Sequence, residues 1–314
     1  MRKKSKKPFG MNFELIDTLD SSSIQENNAF QPCHITSSYH HSCVLISHQH
    51  YNSIHVFDLD TKQFKLAIPW KCPKYLVIEE NYRHDALILS CRILKEYFVY
   101  KCDLGKLLIR NASENEIMMN EENSYIWRSV PFFSANGVAI SRACHQVFVC
   151  GSQDHTQCIT ILDLNSGTVV STLNTQSCPV GITFGCSGNY LDELDHVEDL
   201  LFVSEIDSND IIEVFEKNNN NSTTINDQMY KAKRLTFDRA IYNACELVFD
   251  KISKRLMVAD SGNHQILVFD MLGRCIHEFG DVSQFKFPSG MVLNEQNGQV
   301  LICDKHNRRV LIFK

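Results

Sequence analysis

Short apolar runs separated by polar turns recur along this chain, and two of them are one unit written twice. Leu256-Met257-Val258-Ala259-Asp260 passes through Asn263 to Ile266-Leu267-Val268-Phe269. Val300-Leu301-Ile302-Cys303-Asp304 passes through Asn307 to Val310-Leu311-Ile312-Phe313, with Asp, Asn and Phe at the same offsets. Each unit predicts a strand, a tight turn and a second strand. The Asp is placed to accept backbone N–H bonds at the turn, and the Asn suits a left-handed backbone there. The runs are rich in Val, Ile, Leu and Phe and apolar at successive positions, as expected when both faces of a sheet are covered. No sustained helical periodicity is present.

Four weaker copies precede these two. They begin at Pro32, Pro73, Ala135 and Pro179, and the two clear copies begin at Ala244 and Pro288. Pro at a strand start does least harm to a ladder. The closing positions Phe57, Tyr100, Leu162, Phe215, Phe269 and Phe313 are 43, 62, 53, 54 and 44 residues apart. A spacing near 43 suits one four-stranded propeller blade. Polar insertions at Arg110–Ser129, Gly185–Asp199 and Lys217–Asp227 account for the longer gaps and read as surface loops.

The repeated Asp…Asn-x-Arg-apolar pattern, complete at Asn307-Arg308-Arg309-Val310, resembles the NHL repeat. The resemblance implies an all-β, six-bladed β-propeller of four-stranded antiparallel blades. The expected organisation is a basic flexible tail at 1–12 and one propeller over 13–314. Its blades fall near 30–70, 71–110, 131–175, 178–238, 242–282 and 286–314 plus 13–19. The sixth copy stops at Lys314, one strand short. Residues 13–19 have strand character and are expected to pair onto it, closing the ring and removing an exposed edge.

Composition narrows the function classes. The 13 cysteines form no CxxC pair and most sit inside apolar runs, which argues for buried thiols rather than a zinc or disulfide framework. Neither a secretory leader nor an apolar run of roughly 18 residues is visible, so a cytoplasmic protein with no membrane partner is expected. Charge is uneven. Residues 1–110 hold 15 Lys and Arg against 11 Asp and Glu, residues 111–230 hold 3 against 17, and residues 231–314 hold 13 against 9. The net values are thus +4, −14 and +4. The acidic middle third predicts attraction of a basic protein surface and opposes DNA binding.

Candidate chemistry is sparse. The histidines at 40, 41, 48, 50 and 55 fit no zinc spacing, and Asp192, Glu193, Asp195, Glu198 and Asp199 lack the spacing of a calcium loop. These five carboxylates read as a solvated acidic patch. A nucleophile elbow, an HExxH motif, a P-loop and a dinucleotide fingerprint are absent, and no cofactor or metal is expected. In a propeller of this kind the second-to-third-strand turns and the blade linkers share one face. That face is expected to carry His48, His50, Asn52, Asp207, Asn209, Asn263, His264, His306, Asn307 and Arg308 as partner-binding loops.

The resemblance implies a non-catalytic interaction module or scaffold for a protein partner. NHL propellers serve this role in tripartite-motif ubiquitin ligases, but this chain shows no RING or B-box pattern, so any ubiquitin link would run through a partner. RNA binding is the alternative, through Lys254, Arg255, Lys305, Arg308 and Arg309. A propeller enzyme resembling amidating lyases or lactonases is the third reading. Its channel would draw on His34, Thr36, Tyr75, Thr183 and Glu246.

Overall fold

The computed structural model describes residues 6–20, 22, 30–80, 84–113, 125–153, 156–187, 198–206, 211–218, 230–233 and 235–314. Six four-stranded antiparallel sheets are arranged as the blades of a propeller. Strand β1 (Leu15–Leu19) comes first in the chain. Blade 1 is β2 (His34–Ser38), β3 (Cys43–His48), β4 (Ser53–Asp58) and β5 (Phe64–Pro69). Blade 2 is β6 (Pro73–Glu79), β7 (Ala86–Ile93), β8 (Glu96–Asp103) and β9 (Trp127–Arg128). Blade 3 is β10 (Ser134–Ser141), β11 (Gln146–Gln153), β12 (Thr156–Asp163) and β13 (Val169–Asn174). Blade 4 is β14 (Cys178–Gly185), β15 (Leu200–Ile206), β16 (Ile211–Lys217) and β17 (Tyr230–Lys233). Blade 5 is β18 (Ala244–Asp250), β19 (Arg255–Asp260), β20 (Gln265–Phe269) and β21 (Cys275–Phe279). Blade 6 is β22 (Pro288–Asn294), β23 (Gln299–Asp304) and β24 (Arg309–Phe313), completed by β1.

The ring is closed in two ways. The first strand of each blade touches the first strand of both neighbours all the way round, including β22 against β2, so these six strands surround a central channel. At the rim, β1 pairs antiparallel with β24, matching Leu19 to Val310 and Leu15 to Phe313. Glu14 and Lys314 exchange both backbone bonds beside it.

No single central core exists. Apolar side chains form six clusters, each filling the space between two adjacent blades. The blade 1–2 layer contains Leu45, Val56, Leu76 and Leu89, and the blade 6–1 layer contains Ile35, Val44, Leu301 and Val310. A middle strand therefore faces a neighbouring blade on each side. This is why β3 is buried at all six positions and why its sequence does not alternate. Outer strands have only one covered face, and β13 exposes five of its six residues.

Three expectations need correction. Residues 6–12 were expected within a flexible tail, but the described part packs down. Phe9 is buried, its N–H bonds Asp250 Oδ2 at 3.1 Å, and Lys6 pairs with Glu295. Blade 2 does not end near 110, because its fourth strand is Trp127–Arg128. The 110–129 insertion was expected as loop alone, yet helix α1 (Leu104–Ser113) runs into it. Asp103 Oδ1 accepts the Lys106 N–H as an N-cap, and Leu104 and Leu107 enter the blade 1–2 core. The apolar signal spans only 104–108, too short to register as a periodic pattern. All 13 cysteines are free, seven of them buried. Burial raises the thiol pKa values of Cys43 and Cys91 to about 12, so both stay protonated and unreactive.

Candidate functional site

The repeat's Asp is a clasp. Asp304 Oδ1 accepts the Lys286 N–H at 2.7 Å, and Oδ2 accepts Asn307 Nδ2 at 2.9 Å and Arg309 Nε at 2.8 Å. Asp260 does the same with the Tyr242 N–H, Asn263 and Gln265. One buried carboxylate thus ties the incoming linker to the second-to-third-strand turn. The left-handed residue is not the Asn expected from sequence in these two blades but the residue after it: His264 has φ 59° and Arg308 φ 55°. In blade 1 Asn52 itself takes that conformation, with φ 52°.

Strand register extends the clasp position round the ring. Pro288 faces Asp304, Ala244 faces Asp260, Pro179 faces Glu205, Ala135 faces Gly151 and Pro73 faces Cys91. His48 holds the place in blade 1, at the end of β3. Its Nδ1 accepts the Gln31 N–H at 3.1 Å, and Glu205 Oε2 accepts the Ser177 N–H at 2.6 Å. His48 is therefore not a partner-binding loop residue. It is fully buried, with its ring 4.0 Å from that of His55 and against Phe30. Burial, and then the neighbouring imidazole, hold His48 well below the usual histidine range; burial takes His55 to about 4. Blade 4 carries the acidic counterpart. Burial, followed by the hydrogen bond and charge of Glu213, raises Glu205 to about 8, so it keeps its proton at neutral pH.

The other expected loop residues divide. His50, Asn263, His306, Asn307 and Arg308 are exposed on the turn face. Asn52 is exposed too, and its Oδ1 accepts the Cys72 N–H. His264 is half-buried and its Nδ1 accepts the Phe287 N–H. His306 stacks on Phe287 at 5.0 Å. Partial burial and the charges of Lys305 and Lys286 lower its pKa. Asp207 and Asn209 lie outside the described residues. So do Asp192, Glu193 and Asp195 of the expected acidic patch. The remaining two do not form a solvated patch: Glu198 is buried and Asp199 is half-buried, accepting both the N–H and the hydroxyl of Ser187.

Inside the channel, His34 Nε2 lies 2.6 Å from Glu246 Oε2. They belong to blades 1 and 5 and meet across blade 6, whose matching residue is Gly290. A Cβ on Gly290 would come within 2.6 Å of His34 Cα, so the close approach of β2 requires glycine. The Tyr75 ring lies 4.9 Å from His34. Among the described residues no group of three or more His, Cys, Asp or Glu is placed to hold a metal.

Sequence reasoning missed Lys74. It follows Pro73 at the start of β6 and is half-buried, with Nζ donating to Asn136 Oδ1 at 2.6 Å. Burial, and then the charge of Lys305, lower it to about 8. Aligning the first-strand starts would have flagged it, since a long cationic residue stands where other blades have Asn136, Val180 and Ser289. The expected basic cluster is split. Lys305 and Arg308 are on the turn face, Arg309 is held by Asp304, and Lys254 and Arg255 close the opposite turn between β18 and β19. The turn face also carries exposed apolar side chains: Tyr51, Leu94, Val130, Phe133, Tyr242 and Val282.

The comparisons agree with this architecture. The NHL repeat family matches residues 285–313. No curated protein matches the chain in sequence. Among solved structures, the chain is similar to the gluconolactonase XC5397 from Xanthomonas campestris, with TM-score 0.64 and 10% identity over 98% of this chain and 93% of that one. It is also similar to Kuenenia stuttgartiensis hydrazine synthase, with TM-score 0.60 and 12% identity over 92% and 97%. A third likeness is to the Cps50 (Swd1) β-propeller domain of Myceliophteria thermophila, with TM-score 0.60 and 10% identity over 96% and 98%. At these identities the likeness carries the fold alone. No helix in the described residues is long and apolar enough to cross a membrane. The chain is a six-bladed β-propeller with an NHL repeat in its last blade.

Proposed function

We propose that this propeller is a non-catalytic platform for a protein partner, engaged through the face formed by the second-to-third-strand turns and the blade linkers. The observation that carries this reading is the distribution of exposed apolar side chains. Leu94 is 82% exposed, Val282 70%, Tyr242 63% and Phe133 59%, and Tyr51 and Val130 join them on one face. The opposite face has Ile109, Ile126, Ile252 and Leu272. Large apolar groups held in water on a rigid scaffold favour contact with another macromolecule. Around them the described residues of blades 6, 1 and 2 are mainly basic. Lys71, Lys95, Lys286 and Arg308 are exposed, with Glu96 and Asp281 as the exposed carboxylates. The partner for this face is therefore apolar and acidic. A basic partner, attracted by the acidic middle third, would meet the other face, where β14 ends at Gly185 and β15 begins at Leu200.

Two observations weigh against the alternatives. The enzyme reading draws on His34 and Glu246, and these two close onto each other. RNA reading loses Lys254 and Arg255 to the opposite face. The test compares two double variants as bait in quantitative capture: Leu94→Asp with Phe133→Asp, and Ile252→Asp with Leu272→Asp. With melting temperatures matched, only the first pair should lose its bound protein. Equal retention by both would refute the platform face.

A further inference from the structure

We infer that the paired imidazoles of His48 and His55 form an acid-operated latch on the strap 30–33, which leads into β2, so that protonation of the pair releases the strap from blade 1 while the other blades stay closed. The strap is held by few groups. The Gln31 N–H donates to His48 Nδ1 at 3.1 Å, and the Cys33 N–H donates to the Ser47 carbonyl at 2.9 Å. Phe30 is fully buried, its ring 4.9 Å from His48 and 6.2 Å from His55. The two imidazoles lie 4.0 Å apart, and Phe64 lies 5.6 Å from His55. Phe30 in turn enters the blade 6–1 layer with Leu19 of β1 and with Leu301 and Val310.

Strap and proton compete for one lone pair. A neutral imidazole has one N–H and one acceptor nitrogen, so with Nδ1 accepting from Gln31 the His48 proton sits on Nε2. An imidazolium carries N–H on both nitrogens. Charging His48 therefore sets a donor against the Gln31 N–H and removes its acceptor. His48 Nε2 and His55 Nδ1 are buried and have no hydrogen-bond partner, so a charge on either ring meets no counter-group. The elements packed around the pair do not supply one among the described residues. The strap brings Cys33, and β2 brings His34, held by Glu246. Lys65 of β5 is paired with Asp58, and the turn after β3 has His50 and Tyr51, both exposed. Blade 6 brings Cys303, kept neutral by burial, and Asp304, held by Arg309, while Asp17 of β1 is exposed. Accordingly His48 responds to burial, to His55 and to the Gln31 bond, and His55 to burial alone. Blades 5 and 6 hold the equivalent linker amide on a carboxylate, so the imidazole latch belongs to blade 1. Opening the strap gives the rings water. Each histidine then favours the open form about twentyfold more at pH 5 than at pH 7.

The latch is independent of the platform reading, because no partner enters its test. Amide hydrogen exchange of the full chain is followed at pH 7 and pH 5, with rates corrected for the intrinsic effect of pH on exchange. Between the two, the Gln31 amide should lose protection by about twentyfold or more. The Lys286 and Tyr242 amides make the same linker bond in blades 6 and 5, and they should change by less than about threefold. His48→Asn keeps an acceptor at the strap but cannot be charged, and His55→Phe keeps a ring. The double variant should reduce the pH effect at Gln31 to less than about threefold. Constant protection of Gln31 in the native chain would overturn the latch. So would equal loss at Gln31, Lys286 and Tyr242, which marks global opening, or a pH effect that survives in the folded double variant. If that variant does not fold, the comparison of the three amides in the native chain decides by itself.

Discussion

At the scale of single residues, the clasp position explains both the repeat and its departures. Asp304 is fully buried and has three partners. Asp304→Ala leaves the Lys286 N–H and Arg309 Nε without their acceptor and should cost about 3 kcal/mol. Asn307→Ala removes one bond at an exposed turn and should cost about 1 kcal/mol. Urea denaturation of the two variants checks the ordering. Blades 1 and 4 replace the Asp with groups that titrate in opposite senses. Native Glu205 keeps its proton up to about pH 8, whereas the unfolded residue releases it near 4.5. The native state therefore binds more protons across that window, and stability falls as pH rises through it. His48 and His55 stay neutral in the native state and charge near 6.5 once unfolded, so their contribution is lost as pH falls from about 6.5 towards 4. Glu205→Gln keeps an acceptor for Ser177 and should flatten the alkaline side by on the order of 3 kcal/mol between pH 5 and 8. An unchanged pH profile would refute the raised proton affinity of Glu205. The sequence made the clasp legible where it reads Asp. It did not do so where it reads His48 or Glu205, because an imidazole nitrogen or a longer carboxylate can accept the same linker N–H, and only register reveals the equivalence.

At the scale of elements, ring closure depends on the N-terminal segment. Phe13 stacks on Phe279 at 4.2 Å and lies against Phe9 and Phe313 in the blade 5–6 layer. Leu19 enters the blade 6–1 layer. Removing residues 1–19 uncovers both layers and frees the edge of β24. Burial of these three side chains is worth about 2 kcal/mol each, so the melting temperature should fall by about 10 °C. An unchanged melting temperature would contradict closure by β1. Phe13→Ala alone should cost about 3 kcal/mol. This closure was legible in the sequence because the last copy visibly lacks a strand. Helix α1 was not, because its apolar face occupies little more than one turn. Its tertiary contacts supply the stability that a ten-residue helix lacks in isolation.

At the scale of the whole molecule, six interblade layers make the ring rigid and leave function to its faces. The linear charge pattern foresaw polarity but not its geometry. Lys74 and Lys305, distant in sequence, stand at the turn-face ends of blades 2 and 6 and share a face only because the ring closes. The apolar rim was equally hidden, since Leu94, Phe133 and Tyr242 each look unremarkable in their own segment and gather only when the linkers share a face. Partner capture on a mainly basic surface should weaken as salt is raised from 50 to 300 mM, a dependence that purely apolar contact would not show. The most direct test of the working face is amide hydrogen exchange of the chain with and without a captured partner. Protection should appear in segments 49–52, 93–96, 130–133, 262–264, 281–287 and 305–308. Protection confined to 251–254 and 271–274, on the opposite face, would contradict the account.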